Sequence, residues 1–289
     1  MKTPYNNKQK NLGNSFYRGG DMDKVEIYYF SGSGNSLAVA RDVALELNAV
    51  LTPIMAVINQ ESIETEANII GFVFPIYDFK PPQFMGKFIS KIKDIQSKYI
   101  FALCTYGVTT SKSLKHLETI INSYGGHLSA GFAVGMPQNG LGSRKVTETQ
   151  QEMMFSQWKN RVKKVSAVIK NRQKGEIETS SLFFHMFKTQ NLKLIPVYLR
   201  FLNQVLFKGV DSLAFTSNEN CTGCGTCQKI CTQNNIELVD NKPKWSDHCL
   251  SCFACLNWCP NGAINPGDSD LGIKNYHHPE VKISDMVLP

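Results

Sequence analysis

Eight cysteines crowd into the stretch from Cys221 to Cys259, in two runs of the same form. In CTGCGTCQKIC, Cys221 to Cys231, successive cysteines are separated by two, two and three residues; CLSCFACLNWC, Cys249 to Cys259, repeats that spacing 28 positions later, and Ile236 and Ile264 keep the same offset. The repeat is an internal duplication. Three closely spaced thiolates can wrap three corners of an iron-sulfur cubane, and the fourth corner needs a ligand from farther along the chain. In this spacing the fourth cysteine of each run serves the other cluster. One 4Fe-4S site is therefore expected from Cys221, Cys224, Cys227 and Cys259, and a second from Cys249, Cys252, Cys255 and Cys231. Crossed ligation turns each cluster into a staple across a segment too short to hold much core. Gly223 and Gly225 let backbone N–H groups pass close to the inorganic sulfides.

The competing use of paired CxxC knuckles is structural zinc, but such sites draw two ligands from each of two knuckles, not three from one run and a fourth four residues on. Pro260, directly after the last cysteine, adds to the iron-sulfur reading. A chain of 289 residues with its cysteines so concentrated is not a secreted disulfide framework, and a reducing, cytoplasmic compartment is expected. The ninth cysteine, Cys104, stands in an apolar strand and reads as a small core residue. On these residues the window from Ser212 to Asn265 resembles a bacterial ferredoxin with two 4Fe-4S clusters. It departs from that pattern at Thr232, where proline usually follows the fourth cysteine; ligation is untouched, but the surroundings of the cluster served by Cys231 change.

A second candidate site lies in SGSGNS, Ser31 to Ser36. It falls between the strand-like KVEIYYF and a run of helix formers, where backbone N–H groups and the helix dipole favour an anion. The plain alternative is a strand-to-helix turn with Asn35 or Ser36 as N-cap. There is no Lys-Ser/Thr pair for a Walker A loop, Leu37 replaces the third glycine of GxGxxG, and the following strand lacks the acidic residue of a dinucleotide fold. A hydroxyl-rich loop without Lys or Arg resembles the FMN-phosphate loop of flavodoxins, which implies donors from Ser31, Ser33, Gly34, Asn35 and Ser36. Two later segments, FPIYDFKPP from Phe74 and CTYGVTTSKS from Cys104, follow the third and fourth strands, at whose carboxyl ends a flavodoxin holds its flavin ring. That resemblance implies ring contacts from Tyr77 and Tyr106, adjoining positions at Pro75 and Thr105, and close backbone approach at Gly107. GMPQN, Gly135 to Asn139, ends the fifth strand on the same side.

These residues need a scaffold that delivers several strand ends to one edge. After the first strand, strands are expected at Ala49 to Ile54, Asn68 to Phe74, Ile100 to Thr105 and Leu128 to Val134, with helices after Pro82, Thr110 and Val146. Such alternation predicts an α/β fold with a flavodoxin-like, doubly wound, five-stranded parallel sheet, followed by a small α+β ferredoxin-like domain. The expected divisions are a disordered tail at 1–22, the FMN-binding domain at 23–175, a helical connector at 176–211, the cluster domain at 212–265 and a second tail at 266–289. Translation from Met22 is an open alternative. Residues 1–20 are polar with no apolar h-region, and the apolar stretch Leu182 to Phe207 is broken by His185, Lys188, Gln190, Lys193 and Arg200, so neither a signal nor a membrane span is expected. His277 and His278 read as surface residues of the tail.

The formal charge of +7 falls to about +1 once two clusters and FMN, at about −2 each, are counted, which removes the main support for nucleic-acid binding. The basic residues between Lys159 and Lys174 read as a solvated face, with docking of the chain's own acidic cysteine-rich module or of an acidic redox partner as the alternative. From Lys24 to Asn265 the chain resembles the fused flavodoxin-ferredoxin proteins of anaerobes, the EFR-type ferredoxins. The resemblance implies an electron-transfer protein relaying electrons between FMN and two clusters and serving partners such as ferredoxins or oxidoreductases. The alternatives are a flavin-dependent reductase of a small acceptor and a zinc-stabilised interaction module.

Overall fold

The computed structural model describes residues 23–138, 146–180, 215–267 and 275–288. Most of the expected connector, with its apolar stretch, and the tail before Asp23 lie outside these residues. The first unit runs β1 (Val25–Tyr29), α1 (Asn35–Leu47), β2 (Val50–Pro53), α2 (Ile54–Val57), β3 (Ile69–Pro75), α3 (Met85–Ile89), β4 (Tyr99–Tyr106), α4 (Ser113–Ser123), β5 (Leu128–Gly135) and α5 (Glu148–Lys170). All pairings are parallel and the strand order is β2-β1-β3-β4-β5, the flavodoxin-like doubly wound order.

Parallel strands covered on both faces read as continuous apolar runs, because neither face meets water. In β3 (IIGFVFP), Ile70, Phe72 and Phe74 join Tyr28, Phe88 and Ile100 on one face, while Ile69 and Val73 join Val39, Val43, Leu103 and Trp158 on the other. Helix α5 opens with a capping box in which Thr147 Oγ1 accepts from the Gln150 amide at 3.3 Å and Gln150 Oε1 accepts from the Thr147 amide at 3.0 Å. Its basic residues are partly spent on ion pairs: Arg161 with Glu178, and Lys159 with Asp42 at 2.7 Å. Residues 175–180 run beside β5, with Ile177 bridging Gly131.

The second unit comprises β6 (Phe215–Ser217), α6 (Thr226–Ile230), the hairpin β7 (Ile236–Val239) and β8 (Lys242–Trp245), α7 (Ala254–Asn257) and β9 (Ile264–Pro266). Strands β6 and β9 pair antiparallel, closing the unit at its two ends. The hairpin turns on Asp240 and Asn241, both with positive φ (50° and 59°), as a two-residue primed turn requires. The duplication is visible in the backbone. Gly223 and Gly225 (φ 70° and 75°) correspond by the 28-residue offset to Ser251 and Phe253 (φ 50° and 58°), which hold the same left-handed turn without glycine's freedom. Phe253 is needed as a side chain: its buried ring meets Phe215 edge-on at 5.6 Å.

Gly71, in the middle of β3, leaves room for its cross-strand neighbour Phe101, whose ring fills the position a β-carbon would take. Gly71→Ala is expected to cost about 1–3 kcal/mol, read as a lower midpoint of urea unfolding. In a Phe101→Leu background the added cost is expected to shrink, because the overlapping ring atoms are gone.

Candidate functional site

The carboxyl ends of β1, β3, β4 and β5 bring the Ser/Gly loop, the segment after Pro75, the segment after Tyr106 and Met136–Gln138 to one edge of the sheet. In the loop, Gly34 stands at φ 92° as the residue before α1, and its amide donates to Ser31 Oγ at 3.0 Å. The first amides of α1 have no partner inside the helix, and no charged side chain occurs between Phe30 and Ala40. This donor set fits a phosphate. Ser36 Oγ lies 2.8 Å from Thr105 Oγ1, tying α1 to the end of β4. The Asn35 side chain is held at both ends, its amide donating to the Pro137 carbonyl at 3.1 Å and its oxygen accepting from the Tyr276 hydroxyl at 2.8 Å. Pro75 is in register with Thr105. Tyr106 leans on Gly135, and Gln138 fills the space beside Gly107.

The loop does not face open solvent. Ser31, Ser33, Asn35 and Ser36 are all at most 7% exposed. Two segments cover them. From the cysteine unit, Trp258 Nε1 donates to the Gly32 carbonyl at 3.0 Å. From the tail, the His278 amide donates to the Ser33 carbonyl at 2.8 Å. His278 is buried at 4%, against Phe155, and His277 stacks on Trp258 with ring centroids 4.3 Å apart. The expectation that His278 is a surface residue is thus corrected. Val281 and Met286 anchor the tail in an apolar seam with Leu37, Ala38, Ile230 and Ala254, and that seam carries His278 inward. Burial holds its imidazole below the usual histidine range, on the neutral side.

The eight cysteines surround two separate cavities. Cys221, Cys224, Cys227 and Cys259 line one, with Leu238, Pro243 and Ile264. Cys231, Cys249, Cys252 and Cys255 line the other, with Thr232, Trp245 and Phe253. In each group three cysteines come from one run and the fourth from the other. The Asn235 amide donates to Cys231 Sγ and the Ala263 amide to Cys259 Sγ, each at 3.3 Å and each four residues past its cysteine, so the duplication extends to the sulfur hydrogen bonds. Among the described residues, no three Cys, His, Asp or Glu side chains are grouped to share a single metal ion. Four sulfurs around one cavity are the donor set that a 4Fe-4S cluster takes. Burial pushes the Cys252 thiol up to about 12 and Cys255 well above the ordinary range, so a thiolate in this cavity needs a cation beside it. Cys224, exposed and hydrogen-bonded to Thr226, is held below the usual thiol range.

The two sites share a wall. A β-carbon on Gly32 would collide with the Cys252 carbonyl oxygen and lie 2.9 Å from the Tyr77 hydroxyl. Burial, then the neighbouring Cys252, raises Tyr77 well above the ordinary phenol range, so it stays a neutral hydroxyl. Trp258 and Tyr276 were not singled out by sequence reasoning, and His278 was read only as a surface residue. For Trp258 there was a signal: two of the three tryptophans in the chain, Trp245 and Trp258, fall inside the cysteine window.

Residues 220–264 match the 4Fe-4S dicluster domain family. No curated protein is detectably similar to the chain. Among solved structures, the chain is similar to two-electron reduced flavodoxin from Megasphaera elsdenii, at 14% identity over 50% of this chain and 98% of that one, TM-score 0.32. It is similar to an FMN-dependent NADH-azoreductase from Bacillus anthracis in complex with FMN, at 12% identity over 52% and 100%, TM-score 0.36. It is also similar to rubredoxin oxygen:oxidoreductase from Desulfovibrio gigas, at 17% identity over 52% of this chain and 36% of that one, TM-score 0.35. The flavodoxin-like assignment stands on the β2-β1-β3-β4-β5 order itself, and the second unit carries a 4Fe-4S dicluster domain.

Proposed function

We propose that the chain is an electron-transfer protein that relays electrons between FMN and two 4Fe-4S clusters and exchanges them with partner proteins such as ferredoxins or other oxidoreductases. The observation that carries this reading is the shared wall at Gly32, where the backbone of a cluster-lining cysteine touches the loop suited to a flavin phosphate. When bound, FMN supplies one- or two-electron exchange and each cluster one-electron exchange, so the pairing suits conversion between the two regimes. The chain's part is to position and enclose. The amides at the start of α1 and the Ser33 hydroxyl would hold the phosphate, Tyr77 and Tyr106 border the ring position, and the two crossed sets of four cysteines would hold the clusters. Trp258, Tyr276 and His278 keep water from the loop. Burial under these residues favours the relay over turnover of a small acceptor at this edge. Among the described residues no helix is long and apolar enough to cross a membrane. A reducing, cytoplasmic setting follows from clusters of this type.

Anaerobically purified protein is expected to contain about eight iron and about eight acid-labile sulfide per chain; stoichiometric zinc without sulfide would refute the cluster reading. Cys231→Ala is expected to damage the cluster held by Cys249, Cys252 and Cys255 and to spare that of its own sequence neighbours. Loss confined to the Cys221 set, seen by EPR of the reduced protein, overturns the crossed pairing. Ser33→Asp places a carboxylate where the phosphate is to sit, and acid release of FMN from this variant is expected to drop at least tenfold while iron content is unchanged. Wild-type flavin content would place the phosphate elsewhere.

A further inference from the structure

Two buried polar atoms in the cysteine unit have no hydrogen-bond partner: Thr232 Oγ1 and Trp245 Nε1. Both residues line the same cavity, the one bounded by Cys231, Cys249, Cys252 and Cys255. Leaving a donor buried and unpaired is unfavourable, so two such donors on one wall indicate an acceptor that fills the cavity. Trp245 Nε1 neighbours the Cys255 sulfur but makes no hydrogen bond of normal geometry to it. Thr232 directly follows the crossing ligand Cys231. In the other cavity the polar side chains already have partners: Asn261 donates to Thr222 Oγ1 at 3.0 Å, and Thr226 pairs with the ligand sulfur of Cys224 at 3.5 Å. The residue that follows its crossing ligand Cys259 is Pro260, which has neither N–H nor hydroxyl.

We propose that Thr232 and Trp245 donate hydrogen bonds to the sulfurs of the cluster held by Cys231, Cys249, Cys252 and Cys255, raising its reduction potential above the value it would have without them. Hydrogen bonds to cluster sulfurs stabilise the reduced, more negative state and raise the reduction potential. This cavity is also the one whose Cys252 backbone abuts Gly32 and Tyr77, so the two positioning residues act on the cluster beside the Ser/Gly loop. Reducing that cluster adds one electron and moves no atom between groups, so the step needs only an external one-electron donor.

This inference rests on the two-cluster reading above, and the test separates the two. EPR-monitored redox titration of the full-length, anaerobically purified chain is to be run on wild type, Thr232→Val, Thr232→Ser, Trp245→Phe and the Thr232→Val/Trp245→Phe double variant, with Cys249→Ser assigning the signals. The expected result is a negative shift of the Cys249-set midpoint in Thr232→Val and in Trp245→Phe, a larger one in the double variant, no shift in Thr232→Ser, and an unmoved Cys221-set midpoint. In wild type, proton ENDOR after exchange into D2O is expected to show exchangeable protons coupled to the Cys249-set cluster, fewer of them in Thr232→Val. If Trp245→Phe fails to load its cluster, the isosteric Thr232→Val and the ENDOR comparison decide alone. Two intact clusters with no shift, or with equal shifts in both, overturn the inference and leave the relay standing. Fewer than two clusters in wild type overturns both.

Discussion

At Gly32 the flavodoxin-like unit and the cysteine unit approach until a carbonyl oxygen of one occupies the place where a β-carbon of the other would be. Much of the rest of the arrangement depends on that contact. Because there is no side chain at Gly32, Cys252 can sit against the loop, Tyr77 can close over it, and the Trp258 indole can reach the Gly32 carbonyl. A larger residue would push the second unit outward and open the apolar seam of Leu37, Ala38, Ile230, Ala254, Val281 and Met286. The seam and the backbone contact support one another. The apolar surfaces supply the non-directional attraction that holds the units together, and the hydrogen bonds from Trp258 to Gly32 and from the His278 amide to Ser33 fix which atoms meet.

The sheet could be read from the sequence because parallel strands buried on both faces leave uninterrupted apolar runs, and β3 and β4 are such runs. Their observed limits, Ile69–Pro75 and Tyr99–Tyr106, lie within a residue of those expected. Parallel pairing followed from alternation with helices, since parallel neighbours require crossovers. The spacing of the cysteines likewise anticipated which of them line a common cavity, because the fourth thiol of each run is too close in sequence to its neighbours to complete the same cubane. The cover over the Ser/Gly loop left no comparable mark. Tyr276 and Asn35 are 241 residues apart, and nothing periodic in the tail points to a partner. His278 looked like a surface histidine because its neighbours are polar, and only the apolar anchors Val281 and Met286 bring it inside.

The two cysteine runs illustrate how a duplicated backbone can diverge in its side chains. The left-handed turns are kept at corresponding positions, with glycine in the first run and Ser251 and Phe253 in the second. The second run accepts a conformational cost so that Phe253 can fill the core beside Phe215, a cost the first run avoids by leaving Gly225 bare against Leu238.

The tail that seals the Ser/Gly loop is made late. At translation rates of about 5–20 residues per second, the 241 positions between Asn35 and Tyr276 take on the order of ten to fifty seconds to synthesise. A flavodoxin-like unit that folds as it emerges from the ribosome spends that interval with its Ser/Gly loop uncovered, and the cover arrives only with His278 and Val281. Chain order thereby imposes a schedule: the loop is most accessible before the tail is made, and the tail then closes it off.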